Sequence, residues 1–208
     1  MSRGVFITLE GGDGSGKTTQ AALLRDWFAD HRRQVVLTRE PGGTEVGQKI
    51  REIVLHHRGA VAPRAEALLY AADRAHHIAT LVRPALERGA VVIQDRYIDS
   101  SVAYQGAGRV LDADEVRSIS QWATESLTPD LTVLLDIDSA TARARLDAEN
   151  KRFDRLEAEA SEFHDRVRSA FLALAADEPE RWLVVDATLP PSQISAQITH
   201  RVAALLSE

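Results

Sequence analysis

The feature that most constrains this chain is a glycine-rich loop between an apolar run at residues 5–9 and an amphipathic segment that begins near residue 19. Its eight residues follow the pattern GxxxxGK[ST] and are Gly11, Gly12, Asp13, Gly14, Ser15, Gly16, Lys17 and Thr18. Glycines at positions 11, 14 and 16 permit backbone angles closed to other residues, so successive amides can converge on one anion at the start of a helix. In such a phosphate-binding loop (P-loop), Lys17 reaches the β- and γ-phosphates of ATP and the Thr18 hydroxyl is a ligand of the bridging Mg²⁺. An ordinary strand-to-helix turn is the alternative, but every fixed position and both flanking segments agree with the P-loop.

Apolar and amphipathic segments alternate along the chain, which is typical of an α/β fold. Strands buried on both faces are predicted at residues 5–9, 35–38, 91–94, 131–137 and 182–185. Helices are predicted at about residues 19–31, 45–57, 64–88, 112–126, 139–147, 156–177 and 191–206. This order implies right-handed crossovers and a five-stranded parallel sheet with helices on both faces. We expect residues 1–208 to form a single domain that binds its ligands beyond the carboxyl ends of the strands.

Composition narrows the possible partners and the compartment. The net charge of −6, from 25 Lys plus Arg against 31 Asp plus Glu, argues against a general nucleic-acid or membrane binder. The chain has no cysteine, which excludes disulfides and thiolate metal sites. It shows no signal-peptide pattern and no apolar run of membrane-spanning length, so we expect a cytoplasmic protein.

Charged residues follow two of the predicted strands at the edge where ligands should bind. Arg39-Glu40 comes after the second strand and precedes a Pro-Gly-Gly turn that needs no function to explain it. Asp95-Arg96 follows the third strand, where Asp95 could hold magnesium as a Walker B carboxylate does and Arg96 could bind a phosphate bidentately. A structural ion pair between Asp95 and Arg96 remains the alternative.

The predicted helix at residues 64–88 has an apolar stripe that we expect to lie in the core. The stripe consists of Leu68, Ala72, Ala75, Ala79 and Val82. Tyr70 and Arg74 lie one turn apart on the other face, where they could form either a stacking surface for a ligand or a solvent-facing cation–π pair. Pro84 is expected to kink or end this helix.

A basic cluster stands out in this acidic chain around the polar segment at residues 147–154, and consists of Arg143, Arg145, Lys151, Arg152 and Arg155. The charge pattern alone favours a solvated helix face, and the alternative is a mobile lid that brings cations onto a transferring phosphoryl group. The adjacent pairs His56-His57 and His76-His77 point in different directions on a helix, so we interpret them as surface residues and not as metal ligands.

Six motifs spread over nearly the whole chain resemble the thymidylate kinase (dTMP kinase) family of bacterial type. They are EGGDGSGKTT at residues 10–19, TREPGGT at 38–44, LLYAADR at 68–74, DRYIDSSVAYQG at 95–106, PDLTVLLDID at 129–138 and DRLE at 154–157. The P-loop marks only a superfamily, whereas TREPGGT followed by DRYIDSSVAYQG is specific. The resemblance implies a P-loop NTPase fold with a short lid at about residues 147–155. It also implies transfer of a phosphoryl group from ATP to dTMP with Mg²⁺, in dTTP synthesis, usually by a homodimer.

The same resemblance implies roles for individual residues in binding dTMP. Tyr70 stands where the family normally has a phenylalanine that stacks on thymine, so this chain departs by one hydroxyl. The other implied roles are base contacts for Arg74, Ser101 and, more weakly, Gln105; exclusion of a 2′-hydroxyl by Tyr104; proximity of Asp13 to the 3′-hydroxyl; and phosphate binding by Arg39 and Arg96.

The resemblance also bears on catalysis. Gly14 occupies the P-loop position where some family members carry a catalytic arginine, so the lid should supply that cation. Arg152 is the first candidate and Lys151 the second, acting with Lys17 and Arg96 on the phosphates. Metal binding falls to Thr18 and Asp95.

Other functions are distinguishable from the sequence or by assay. A different P-loop nucleoside or nucleotide kinase would share the loop and lid. A regulatory GTPase should carry an NKxD motif, but the run from Asn150 places the acid one position late at Asp154. An ATP-driven motor should end an apolar strand in Asp-Glu, whereas Asp95 is followed by Arg96. A non-catalytic nucleotide-binding module would phosphorylate no monophosphate.

Overall fold

A computed structural model describes residues 4–109, 111–148 and 154–207 of the chain. The predicted five strands are confirmed, each within one residue at either end, as β1 (Val5–Glu10), β2 (Val35–Arg39), β3 (Val91–Asp95), β4 (Leu131–Asp136) and β5 (Trp182–Asp186). They form one sheet in the order β2-β3-β1-β4-β5, and every neighbouring pair is parallel. The carboxyl ends of all five strands therefore lie at one edge, as predicted.

Helical segments connect and cover the strands. The α-helices in the described ranges are α1 (Lys17–Asp30), α2 (Glu45–His56), α3 (Pro63–His77), α4 (Arg83–Glu87), α5 (Ile98–Ser101), α6 (Ala113–Thr124), α7 (Ser139–Ala148), α8 (Ser161–Asp177) and α9 (Pro191–Leu205). Two stretches are π-helical, Ile78–Val82 and Val102–Gly108. Within the described ranges, no helix has both the length and the apolar composition needed to cross a bilayer.

Three differences from the predicted helices have local causes. The helical run at 98–108 was not predicted, because its serines and glycines give no helical apolar period. Helix α8 begins at Ser161 and not at residue 156, because residues 155–159 form turns. Pro84 does not end its helix. Its ring nitrogen cannot donate to the carbonyl four residues earlier, and the chain stays helical to Glu87 after a π-helical turn.

The core lies on both faces of the sheet, because alternate strand residues point to opposite sides. On one face, Ile7 and Leu9 of β1 pack in a buried cluster with Leu24 and Phe28 of α1. On the other face, Phe6 belongs to a second cluster that continues into the helical layer after α3. Each fully buried side chain of this size contributes about 1.5–3 kcal/mol to folding. The buried sheet is thus a rigid platform for the residues at its carboxyl edge.

The predicted core stripe of α3 is wrong. Leu68 is 55% exposed, Ala72 and Ala79 are also exposed, and Val82 alone of the five is fully buried. The buried face of α3 is instead rich in polar side chains, namely Glu66, Tyr70, Asp73, Arg74 and His77. The apolar periodicity predicted the wrong buried face of α3. Polar groups on the buried face find partners on other segments, so their burial is tolerated.

Candidate active site

A cavity of about 860 Å³ opens at the carboxyl edge of the sheet. Its walls come from the P-loop, the ends of β2 and β3, helices α2, α3 and α7, the π-helical stretch after α5, the turn at 154–157 and the start of α9. Segments distant in sequence therefore converge on one space. All the described residues that the sequence predicted for substrate and metal binding line it, namely Asp13, Thr18, Arg39, Tyr70, Arg74, Asp95, Arg96, Ser101 and Tyr104.

The P-loop has the backbone shape that its glycines predict. Gly11, Gly14 and Gly16 have φ of 130°, 78° and 94°, in the range that other residues rarely adopt. The ammonium of Lys17 donates to the carbonyl oxygens of Gly11 at 3.1 Å and Gly12 at 2.9 Å. Burial, reinforced by the charge of Arg96, lowers the pKa of Lys17. An incoming phosphate would relieve this unfavourable environment by adding negative charge.

Helix α7 closes one side of the P-loop. A Cβ at Gly14 would lie 2.7 Å from the carbonyl oxygen of Ala142, so an arginine does not fit there unless α7 moves. Arg145 of α7 lines the cavity and donates to the carbonyl oxygens of Gly14 at 3.4 Å and Ala187 at 2.9 Å. Arg145 is therefore a cavity residue and not only part of a solvated face.

Asp95, at the end of β3, has the properties of a metal ligand that acts together with a nucleotide. Its Oδ1 atom is buried and accepts no hydrogen bond from a described residue. The described residues contain no cluster of three or more His, Cys, Asp or Glu side chains that could enclose a metal alone. Magnesium is usually held by one or two protein groups together with phosphate oxygens and water. The free oxygen of Asp95 and the exposed Thr18 at the start of α1 fit that arrangement.

Arg96 is held in place before any substrate is present. Its backbone has a φ of 68°, a left-handed conformation that is uncommon for residues with a side chain. Its guanidinium donates to Asp13 Oδ1 at 2.7 Å and to Ser100 Oγ at 3.2 Å. Burial alone would raise the pKa of Asp13, but the charges of Arg96 and Lys17 outweigh it and lower the pKa to about 2. Asp13 is therefore an ionised acceptor across the physiological range.

Glu10, the last residue of β1, was not identified from the sequence. It is fully buried, and it accepts hydrogen bonds from the Tyr97 amide at 2.7 Å and the Ser100 hydroxyl at 2.6 Å. Burial, reinforced by the charge of Asp99, raises the pKa of Glu10 to about 7. Glu10 thus fixes the segment that carries Arg96. Its position at a strand end directly before the P-loop was the available signal.

Two arginines form a second positive region of the cavity. Arg39 is exposed at the end of β2 and has no hydrogen-bond or ion-pair partner among the described residues. Arg51 of α2 donates to the Pro41 carbonyl at 3.0 Å, and burial together with the charge of Arg39 lowers its pKa. Asp154 is a charged neighbour of Arg51, but Arg39 has no ion-pair partner among the described residues, so the two arginines favour an anionic ligand. No sequence pattern singled out Arg51.

The predicted base pocket is built around Arg74, which is 2% exposed and not solvent-facing. Its Nε donates to Glu40 at 2.7 Å, and its Nη1 donates to Ser120 Oγ at 3.1 Å. Its Nη2 donates both to Ser101 Oγ and to the Tyr97 carbonyl, each at 3.1 Å. Four of its five N–H groups are thus used, so a ligand could take the fifth. Tyr70 is buried against the same cavity and forms no cation–π pair with Arg74. The alternative of a solvent-facing cation–π pair between Tyr70 and Arg74 is therefore wrong.

His77 corrects another prediction, because it is fully buried and not a surface residue. Its Nδ1 lies 2.9 Å from Glu40 Oε1 and its Nε2 lies 2.7 Å from Thr38 Oγ1. Glu40 is therefore held by both Arg74 and His77. This arrangement ties the loop after β2 to helix α3 and places Arg39 beside the cavity.

Tyr104 lies beneath Arg96, whose guanidinium carbon is 4.9 Å from the ring centroid. Phe163 and Phe171 of α8 contact the ring edge-on at centroid distances of 6.0 and 6.2 Å. The buried hydroxyl of Tyr104 has no hydrogen-bond partner among the described residues. Tyr104 therefore forms a rigid aromatic wall of the cavity.

The predicted lid is described only at its borders. Lys151 and Arg152 lie outside the described residues. Arg155 does not face the P-loop, because its guanidinium is bound to Glu66 and donates to the Val54 carbonyl at 2.9 Å. Asp154 and Glu157 both line the cavity, and neither was singled out as a site residue.

The fold and the site together define a P-loop kinase, with a nucleotide-binding loop facing a second anion-binding pocket. The family model for thymidylate kinase matches residues 9–198. The thymidylate kinase of Clavibacter sepedonicus is 70% identical over 204 residues, covering 98% of this chain and 97% of the relative. The relative from Bifidobacterium longum subsp. infantis is 52% identical over 99% of this chain and 88% of its own length. The crystal structure of thymidylate kinase from Ehrlichia chaffeensis has a TM-score of 0.79 at 30% identity, covering 96% of this chain and 99% of that one.

The chain belongs to the thymidylate kinase family. It is a kinase that phosphorylates dTMP, and its fold is the P-loop NTPase fold that the motifs predicted.

Proposed function

We propose that the protein transfers the γ-phosphoryl group of MgATP to dTMP, giving ADP and dTDP for dTTP synthesis in the cytoplasm. The observation that carries the proposal is one cavity in which Lys17 and the P-loop face Arg39, Arg96 and a buried pocket at Tyr70. Two phosphate-binding regions in a single space suit transfer between two nucleotides better than binding of one.

The geometry supports a mechanism based on positioning and charge. The P-loop amides and Lys17 bind the donor phosphates, while Arg96 and Arg39 hold the acceptor phosphate. Mg²⁺ held by Thr18, Asp95 and the nucleotide would neutralise charge on the donor phosphates. Phosphoryl transfer passes through a loose transition state, so aligning the two phosphates supplies much of the rate. Asp13 keeps Arg96 oriented, and the family resemblance implies that it lies near the sugar 3′-hydroxyl.

The acceptor pocket suits a pyrimidine deoxynucleotide. Tyr70 provides a buried ring for stacking, and Arg74 and Ser101 provide polar contacts for the base edge. Tyr104 forms the wall under the sugar, where a 2′-hydroxyl would be excluded. The family resemblance implies these roles, and the presence of all four side chains around one cavity supports them.

The test is an assay of ADP release by the purified protein with MgATP and dTMP, dUMP, dCMP or dGMP. We expect dTMP to give the highest kcat/KM. A preference for another monophosphate would support a different P-loop nucleotide kinase, and no turnover with any of them would support a non-catalytic binding module.

Omission of Mg²⁺, with EDTA present, should abolish turnover, and re-addition should restore it.

We also propose that the protein is a homodimer. Helix α3 packs against both α2 and α6. These three helices carry the exposed side chains of Val46 (44% exposed), Ile53 (45%), Leu68 (55%) and Trp122 (83%), and we propose that these side chains share one apolar surface. Large apolar side chains gathered on one face are typical of an interface.

A further inference from the structure

The side-chain amide of Gln105 is held in one orientation by a neighbour that the proposed mechanism does not use. Gln105 lies in the π-helical stretch after α5, is buried and lines the cavity. Its Nε2 donates to Glu66 Oε1 at 3.0 Å. Its carbonyl oxygen accepts no hydrogen bond from a described residue, so the acceptor of the amide is left for a ligand, together with the second N–H of Nε2.

Glu66 leaves Gln105 no second orientation. Glu66 is fully buried on α3 and is bound by the guanidinium groups of Arg155 and Arg109, the latter at 3.4 Å. Both oxygens of Glu66 accept from guanidinium N–H groups, so Glu66 faces Gln105 as a hydrogen-bond acceptor. If the amide of Gln105 turned over, its oxygen would face a carboxylate oxygen, and the two acceptors would repel each other. The donor side of Gln105 must therefore face Glu66.

We propose that Glu66 is a positioning residue that sets base specificity by fixing Gln105 with its carbonyl oxygen available to the base. The remaining N–H of Arg74 provides a donor in the same cavity. A donor and an acceptor in one cavity can complement the O4 and N3–H of thymine or uracil, whereas cytosine presents an amino group and an unprotonated N3 at these positions. The inference rests on the proposed dTMP site and adds to it the group that makes the site select an imide.

The matched variants are Glu66→Gln and Arg109→Gln. A glutamine at position 66 has the same shape but can donate, which permits Gln105 to turn over and offer its N–H to cytosine N3. We expect the ratio of kcat/KM for dTMP to that for dCMP to fall at least tenfold in Glu66→Gln. The ratio of dTMP to dUMP should stay within twofold, because both bases are imides. Arg109→Gln removes another partner of Glu66 without touching Gln105, so its dTMP-to-dCMP ratio should stay at the wild-type value.

A merely structural role for Glu66 makes a different prediction, because disordering the cavity lowers kcat/KM for dTMP and dCMP by the same factor. An unchanged ratio in Glu66→Gln would therefore overturn the proposal. If that variant does not fold, Gln105→Met supplies the test, since it removes the amide at similar volume and should also lose the preference by at least tenfold. Retention of the preference in Gln105→Met would overturn the proposal. Failure of the proposed function is a separate result, because the wild-type protein would then not use dTMP.

Discussion

At the residue scale, the charged groups of the site hold one another in strained or buried positions. The left-handed backbone at Arg96 costs about 1–2 kcal/mol for a residue with a side chain. The fold compensates with hydrogen bonds from the Arg96 amide to the Leu9 carbonyl at 3.0 Å and from Gln94 Nε2 to the Arg96 carbonyl at 2.9 Å. Arg96 was predicted because it follows an apolar strand. Its left-handed conformation was not predicted, since its hydrogen-bond partners Leu9 and Gln94 lie on strands whose register the sequence does not reveal.

Glu10 gives a prediction about the pH dependence of stability. Burial, reinforced by Asp99, raises its pKa to about 7 from an ordinary 4.5, so the folded protein holds this proton more tightly than the unfolded chain. The contribution of Glu10 to stability is thus full below about pH 4.5 and is lost as the pH rises through about 7. Relative to Glu10→Gln, the wild-type free energy of unfolding should fall by about 2 kcal/mol between pH 5 and pH 8.

Urea denaturation of both proteins at pH 5 and pH 8 measures this difference. The control is Glu45→Gln, because Glu45 is highly exposed on α2. Its stability relative to wild type should change little between the two pH values. If the difference in free energy of unfolding between wild type and Glu10→Gln is the same at both pH values, the pKa of Glu10 is not elevated.

Arg152 gives the prediction for catalysis. If Arg152 is the lid cation, Arg152→Ala should lose about 10³-fold or more in kcat, because a positioned arginine contributes about 10³–10⁵ to phosphoryl transfer. The affinity for dTMP should barely change, since the proposed phosphate ligands, Arg39 and Arg96, are left intact. Single-turnover kinetics and equilibrium dTMP binding separate the two effects, and Lys151→Ala is the parallel variant. An unaltered kcat in Arg152→Ala would reject the assignment.

At the element scale, prediction succeeded for the apolar strands and failed where a helix buries polar groups. The five strands were found because their residues are mostly apolar, as in β1, where Phe6, Ile7 and Leu9 are all buried. Burial on both faces was wrong for the edge strands β2 and β5, which expose Leu37 (43%) and Val184 (45%) because no strand covers their outer edges. Helix α3 was misoriented because it buries Glu66 and Arg74 on contacts with distant segments. Apolar periodicity carries no information about such long-range partners, so the sequence could indicate the helix but not its inward face.

The P-loop gives a prediction that compares alanine substitutions at Gly14 and Gly12. Gly14→Ala places a Cβ 2.7 Å from the Ala142 carbonyl oxygen at a φ of 78°, whereas a Cβ at Gly12 has no atom within 4 Å. We expect Gly14→Ala to lower the free energy of unfolding by about 1–2 kcal/mol or more, and Gly12→Ala by less than about 0.5 kcal/mol. Chemical denaturation without nucleotide measures both. Equal losses would show that contact with α7 does not constrain the loop.

At the scale of the whole molecule, the site exists only because the parallel sheet brings separate segments to one edge. The motifs identified most of the side chains around the cavity, since the motifs at the ends of β1, β2 and β3 and the motif on α3 all border the carboxyl edge of the sheet. Glu10, Arg51 and Glu66 were missed, because each acts through neighbours that only the folded chain supplies.

The exposed apolar surface gives the prediction for assembly. Leu68→Lys should convert a dimer to a monomer in sedimentation experiments, because it places a charge on the face shared by α2, α3 and α6. Leu206→Lys is the control, since Leu206 follows α9, is 37% exposed and lies outside that face. Secondary structure should be retained in both variants. A monomeric wild-type protein, or a dimer that tolerates the lysine at position 68, would contradict the assembly.

The two hydrogen bonds from Lys17 to the loop carbonyls have a consequence for turnover. If Lys17 binds the donor phosphates as proposed, an arriving nucleotide would exchange these internal contacts for contacts with phosphate oxygens, and only the difference between the two sets would add to affinity. The departure of ADP would be eased in the same way, since the ammonium would regain its carbonyl partners as the product leaves. The two loop carbonyls would thereby shorten the time for which the product nucleotide stays bound.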